Sequence, residues 1–337
     1  MKVPKWPRRN EGSMKQIAAV LSAAFTLTAL PLAAPALAQD WPSKTVRIIV
    51  PFAAGATPDL VARLVAENLH QKLGQAFIVE NRPGASGDTG TGEVAKAAPD
   101  GATIGVSIGG PLATNTLLFS KLPYNPSKDF AFITLLATQP SVLAVNASLG
   151  VNNVPQLLEL IRRNPGQYNF GSIGAGSLSH LAMEAIAIKS GTQLVHVPYA
   201  SSPQAVTALI RNEVQIACLP AIAVVPQAAS GAVKILAVST ARRSALLPDV
   251  PTLQEAGVDV EADAWMGLIG PAGLPNAMTE RIGRLVGEAL TSPDIREKFA
   301  AQLMEPIPGT SAEFRARIDA DIARWKPIIE AAHIRIN

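Results

Sequence analysis

From Thr45 onward, short runs of β-branched residues alternate with longer stretches in which apolar residues return every three or four positions. "TVRIIVPF" (45–52) has the length and composition of a buried strand. In "ATPDLVARLVAENLHQKLG", which follows it, Val61, Leu64, Val65, Leu69 and Leu73 share one helical face. Thr57 is the expected N-cap, Pro58 suits the first helical position and Gly74 closes the helix. "AFIVEN" is the next strand. A glycine-rich loop (83–92), a short helix to Ala98 and the strand and loop of "ATIGVSIG" come after it. "FITLLATQPSVLAVNA" (132–147) reads as one extended segment interrupted by Pro140, long enough to pass from one domain to another.

A second set repeats the alternation. Helices are expected at 154–163, 178–190, 203–211 and 221–230, with strands at 168–171, 214–219, "LVHVPY" and "VKILAVST" between them. A further extended run around "DAWMGLIG" (263–270) leads into helices over 276–335. In the last of these, Phe314, Ile318, Ile322, Trp325 and Ile329 form a core-facing stripe, bent near Pro327. Alternating strand and helix implies an α/β fold with mostly parallel sheets. Crossings near 140 and 262 divide it into a discontinuous domain 1 (39–140 and 263–337) enclosing domain 2 (141–262). Ligands of open α/β sheets sit beyond the carboxyl ends of the strands, so the expected site is a cleft between two α/β domains.

Composition changes the picture mainly at the N-terminus. The uncharged run Ile17–Ala38 follows Lys15 and closes on Ala36-Leu37-Ala38, which reads as a signal peptide cleaved after Ala38, with residues 1–13 an upstream extension and Met14 the initiator. Pro31 and Pro35 argue against a membrane anchor. Residues 1–38 carry Lys2, Lys5, Arg8, Arg9 and Lys15 against Glu11, a net of +4. The whole chain is +3, so the mature chain is 3 − 4 = −1. Near-neutrality without a Lys/Arg run excludes nucleic acid as a partner. Cys218 is the single cysteine, so no intramolecular disulfide forms, and its apolar run "EVQIACLP" makes it a core thiol.

Three loops share one physical device, a polar or glycine-rich turn between a strand and a helix start. They are "PFAAGATPDL" (51–60), "FGSIGAGSLSH" (170–180) and "PYASSPQAV" (198–206). Helix starts leave unpaired N–H groups and a partial positive charge, and glycine lets a ligand approach them closely. Ser202 before Pro203 repeats the cap-then-proline order of Thr57 and Pro58. A P-loop would need Gly-Lys-Ser/Thr, which is absent, and Gly174-Ala175-Gly176 lacks the third glycine of a dinucleotide turn. Ser177 and His180 do not match a G-x-S-x-G elbow, and a base three residues along a helix stands beside the serine, so a serine hydrolase using Ser177 is the weaker alternative. His70, His180, His196 and His333 lack metal-ligand spacing. No catalytic residue, metal or cofactor is expected. What remains is an exported protein that binds a small anion through backbone amides and hydroxyls, each charge-assisted bond worth about 1.5–3 kcal/mol.

The stretches "WPSKTVRIIVPFAAGATPDLVARLVAENL", "VENRPGASGDTGTGEVAKAAPDGATI", "LPYNPSKDFAFITLLAT", "FGSIGAGSLSHLAME", "VHVPYASSPQAVTALI", "ILAVSTARRSALLPDVPTLQEAG" and "WMGLIGPAGLP" cover nearly the whole mature chain. Together they resemble the Bug family, the periplasmic solute receptors of tripartite tricarboxylate transporters. The resemblance implies a type II periplasmic-binding-protein-like fold that closes over a carboxylate, either a di- or tricarboxylate or an aromatic acid. Membrane transporter subunits are the implied partner, and a monomer is expected. A ligand-sensing component for a signalling partner is the alternative role. Carried onto this sequence, the resemblance assigns Ala54, Gly55, Ala56, Thr57 and Asp59 in the first loop, and Ser107, Gly109 and Asn115 after the third strand. It also assigns Gly176, Ser177 and Ser179 in the glycine-rich turn, with Tyr199 and Ser202 in the next loop. Two departures stand out: Ala56 replaces the family's second glycine, and Leu219 and Pro220 stand where many members have an aspartate, which disfavours an amino-acid ligand.

Overall fold

The computed structural model describes residues 1–5 and 41–336. The expected apolar leader and the cleavage point after Ala38 lie outside the described residues. The first sheet begins with β1 (Val46–Val50), α1 (Thr57–Leu73), β2 (Phe77–Asn81) and α2 (Asp88–Ala95). Next come β3 (Thr103–Ile108), a wide helical turn Gly110–Thr114, the one-turn α3 (Asn115–Leu118) and β4 (Phe130–Gln139). Pro140 then ends β4, and β5 (Ser141–Asn146) opens a second sheet.

The second sheet continues with α4 (Val154–Arg163), β6 (Asn169–Ser172), α5 (Leu178–Ser190), β7 (Val195–Pro198) and α6 (Ser202–Ile210). It is completed by β8 (Ile216–Pro220), α7 (Ala221–Ala229) and β9 (Val233–Val238). The chain returns to the first sheet through β10 (Ala264–Pro271), α8 (Asn276–Leu290), α9 (Pro293–Ala300), β11 (Glu305–Pro306) and α10 (Ser311–Ala331).

Strand order is β11-β4-β10-β3-β1-β2 in one sheet and β7-β6-β8-β5-β9 in the other. Both sheets are mixed rather than mostly parallel. β1 runs parallel to β2 and β3, and β6 parallel to β7 and β8. Apart from the two-residue edge strand β11, which opposes β4, the antiparallel members are the strands that arrive from the other sheet. β10 opposes β3 and β4, and β5 opposes β8 and β9. A strand entering from the neighbouring sheet starts at the end where the parallel strands finish, so its direction is reversed.

Helix α1 covers β1, with Val61, Val65 and Leu69 buried against Ile48, Val50 and Ile104. Each such side chain removed from water stabilises the fold by about 1.5–3 kcal/mol. Gly74, at φ 69°, ends the helix by donating to His70 O. At the other end the sequence expectation needs correcting. Ala56 is the N-cap, Thr57 lies inside the first turn and Pro58 comes second. Likewise Ser201, not Ser202, precedes α6, and its side chain makes no capping bond. Thr57 and Ser202 therefore keep their hydroxyls free of capping duty.

The last helix belongs to both cores. Phe314 and Ile318 pack with Phe132 and Trp265 of the first sheet. About two to four turns later, Trp325, Ile328 and Ile329 pack with Leu143, Phe170 and Leu181 of the second. Its start is fixed by a capping box between Thr310 and Glu313. Beyond it, Ile336 bridges to Phe119 and donates to Leu118 O.

Candidate functional site

A cavity of about 530 Å³ lies between the two sheets, where the parallel strands end and the crossing segments begin. Of the residues expected at a site, Ala56, Thr57, Gly109, Asn115, Gly176, Ser177, Ser179 and Ser202 line it. Ala54, Gly55, Asp59, Ser107 and Tyr199 are not in its wall. The structure thus brings the three strand-to-helix corners together and separates the residues that face the void from those behind it.

The first corner shows this division. Asp59 is buried, accepts from Gly55 N at 2.9 Å, Arg63 Nε at 3.0 Å and Asn81 Nδ2 at 2.9 Å, and so ties the loop to its own helix. Burial alone would raise its pKa, but these three donors outweigh it and hold the carboxyl below its ordinary range. Ala56 has φ −70° and ψ 157°, backbone that any residue adopts. Its methyl causes no strain and forms part of the cavity wall. The Thr57 hydroxyl has no protein partner among the described residues.

Residues after β3 play a supporting part. Ser107 is buried, with its hydroxyl 2.9 Å from that of Thr91. Asn115 Nδ2 donates to buried Asp88 at 2.8 Å, and Tyr124 Oη lies 2.6 Å from the same carboxylate oxygen. One N–H of the Asn115 amide is therefore spent within the protein, while the residue itself lines the cavity. Gly109 leaves room for an indole: a Cβ there would stand 3.3 Å from Trp265 Nε1.

The glycine-rich corner is more tightly wired than its sequence suggested. Ser177 caps α5, accepting from His180 N at 3.3 Å and donating to Gly174 O at 2.6 Å. Gly176 N donates to His180 Nδ1 at 3.0 Å, so that amide is not free. His180 Nε2 faces Glu184 at 3.5 Å. Neither ring nitrogen bonds the Ser177 hydroxyl, and the pair lacks the arrangement of a nucleophile and its base. The free donors here are the amides of Ala175, Leu178 and Ser179, which take no partner among the described residues. Behind the turn, His196 Nε2 sits 2.6 Å from Ser172 Oγ. Burial, then the neighbouring His180, depress the pKa of His196 to about 4.

Sequence reasoning missed the floor of the cavity, made by Gln139, Ser141, Asp263, Trp265, Asp321 and Trp325. These residues sit on the two crossings and on α10. The polar Gln and Ser either side of Pro140, inside an otherwise apolar run, were the available signal. Trp265 Nε1 donates to Asp321 Oδ2 at 2.6 Å and Thr138 Oγ1 to Asp263 Oδ2 at 2.6 Å. Arg317 pairs with Asp263 and lies 3.4 Å from Asp321, while Arg324 reaches Asp321 and Glu261 at 3.0 Å each. Burial pushes the Asp321 carboxyl up, against the pull of Arg317, the Trp265 indole and Arg324. The network ties both crossings to the last helix directly beneath the void.

Residues 61–334 match the family model described as "Tripartite tricarboxylate transporter family receptor". Among curated proteins, BugT of Bordetella pertussis is 32% identical over 91% of this chain and 94% of its own length. Among solved structures, R. palustris Rpa4515 with adipate is 33% identical, with a TM-score of 0.77 over 88% of this chain and 99% of that one. MatC from Rhodopseudomonas palustris with bound malate is 29% identical, with a TM-score of 0.72 over 86% of this chain and 100% of that one.

Proposed function

The chain belongs to the tripartite tricarboxylate transporter receptor family, and on that premise we propose that it binds a small carboxylate solute in the periplasm and delivers it to membrane transporter subunits. The observation that carries this reading is the convergence of strand-to-helix corners from both sheets on one cavity. There, the hydroxyls of Thr57 and Ser202 and the amides of Ala175, Leu178 and Ser179 have no protein partner among the described residues. Three or four such donors on one carboxylate, less the cost of ordering, suffice for micromolar affinity, about −8 kcal/mol. Among the described residues no lysine or arginine lines the cavity, so the positive ends of the helices take the role of a cationic side chain.

Binding couples to closure in this reading. Segments 39–140 and 263–337 carry one sheet and 141–262 the other, and they turn about the crossings at Pro140 and near Asp263. A ligand that touches both sides favours the closed state by its differential affinity. The leader directs export and is removed after Ala38. The test uses mature protein refolded free of co-purified ligand and a panel of mono-, di- and tricarboxylates and aromatic acids. At 100 times its dissociation constant a ligand adds about 2.7 kcal/mol of stability, readable as a rise in melting temperature. A panel in which no carboxylate raises it would overturn the reading.

A further inference from the structure

The cavity wall carries two chemically different groups of residues. One is the set of amide-bearing corners. The other is the floor, where Gln139 and Ser141 flank Pro140 on the crossing from β4 to β5. Both are only 5% exposed. Neither the Gln139 amide nor the Ser141 hydroxyl takes a protein partner among the described residues. Among the described residues the one buried side-chain polar atom without a hydrogen bond is Arg317 Nε, so the polar atoms of Gln139 and Ser141 are open to the cavity these residues line, where a ligand can meet them.

The charges around them decide what kind of ligand group. The ionisable side chains in the cavity wall are Asp263 and Asp321, both carboxylates. Arg317 and Arg324 are not in the wall and are already engaged by Asp263, Asp321 and Glu261. Three carboxylates share two guanidinium groups. Whether or not Asp321 keeps its proton, no net positive charge faces the void. A second carboxylate placed at the floor would lose its water with no cation to replace it, which is strongly unfavourable. A hydroxyl or carboxamide meets a matched set instead, since Gln139 both donates and accepts and Ser141 can do either. Ile108 and Ile173 add an apolar part of the wall for a hydrocarbon stem.

We propose that Gln139 and Ser141 select the far end of the ligand, so that the preferred solute is a monocarboxylate ending in a neutral hydrogen-bonding group, a hydroxy acid or amide acid, rather than a dicarboxylate. This rests on the carboxylate-receptor reading and sharpens it. The experiment compares ω-hydroxy acids of four, five and six carbons with the dicarboxylates of the same chain length, by calorimetric titration of ligand-free mature protein. For at least one length the hydroxy acid binds at least tenfold tighter. In Gln139→Leu and in Ser141→Ala that ratio falls below threefold, with melting temperatures recorded to show both variants folded. A dicarboxylate that binds tighter at every length, or a ratio unchanged in both variants, overturns the selection by Gln139 and Ser141 while leaving the receptor reading intact. Failure of all the acids to bind overturns both.

Discussion

The imidazole rings of His180 and His196 stack face to face, with centroids 3.7 Å apart and planes within 8° of each other. Phe170 lies against both rings, at 6.0 Å from His180 and 4.9 Å from His196. The stack supports the glycine-rich corner from behind, because His180 Nδ1 holds the Gly176 amide and His196 holds Ser172. Two cations cannot occupy such a stack in a low-dielectric setting.

The pH dependence follows in sign. His196 titrates near 4 in the folded chain, well below the ordinary 6.5. The unfolded chain therefore takes up protons first as pH falls, and the stability that this group provides above pH 6.5 is lost between 6.5 and about 4. A loss on the order of 2 kcal/mol across that window is expected, the full shift being reduced by partial contact with water. His196→Phe keeps the stacked ring and removes the proton site. Urea unfolding at several pH values checks that its curve is flatter than the parent's by that amount.

Ser177→Ala removes a helix cap as well as a wall of the cavity. The hydroxyl accepts from His180 N and donates to Gly174 O, so a stability loss of about 1 kcal/mol is expected. Carboxylate affinity falls with it, because the adjoining free amides of Leu178 and Ser179 lose their fixed orientation. Equilibrium unfolding and titration on the same variant separate the two effects. Unchanged affinity would place the ligand elsewhere.

Gly176 stands at φ 71°, and a Cβ there would approach Ile336 Cδ1 to 2.4 Å and Leu118 Cδ1 to 3.0 Å. Gly176→Ala should cost about 1–3 kcal/mol from the backbone conformation alone, with the contact adding to it. The double variant Gly176→Ala, Ile336→Ala recovers the contact part and not the backbone part. A double-mutant cycle measured by chemical denaturation resolves the two.

Trp265 is buried at the cavity floor and donates to Asp321, while Trp41 lies away from the cavity against Phe77. Carboxylate binding should alter intrinsic fluorescence, and Trp265→Phe should lose most of that change. The same variant orphans Asp321 Oδ2 and is expected to unfold about 1–3 kcal/mol more easily. A full fluorescence response in Trp265→Phe would assign the signal to Trp325.

Cys218 is fully buried, and burial pushes its thiol up to about 12. The native protein should resist a thiol reagent at pH 8, and denaturant should expose one reactive group. Rapid labelling without denaturant would show that the β5–β8 pairing opens easily.

The helices were legible in the sequence because their signals are local. The four spaced apolar positions from Val61 to Leu69, the Gly74 stop and the apolar face of 154–163 each need only neighbours along the chain. Exposed and buried faces of a helix differ in solvation, and that difference is written every three or four residues. The three ligand-facing corners could be named for the same reason, since a strand end, a glycine or serine turn and a helix start are contiguous.

Roles at the site were not local. Asp59, Ser107 and Asn115 look alike as polar residues near a helix start, yet all three bind the protein itself and only Asn115 reaches the cavity wall. Gln139 and Asp263 stand 124 residues apart and Asp321 a further 58, and they meet only because both crossings and α10 pass under one void. The amino-acid order alone set the α/β alternation, the corner chemistry and the lack of a cationic anchor. Which of those groups stay unpaired, and what charge faces them, was decided by packing, because hydrogen bonding and Coulomb energy depend on distances in space that no spacing along the chain prescribes.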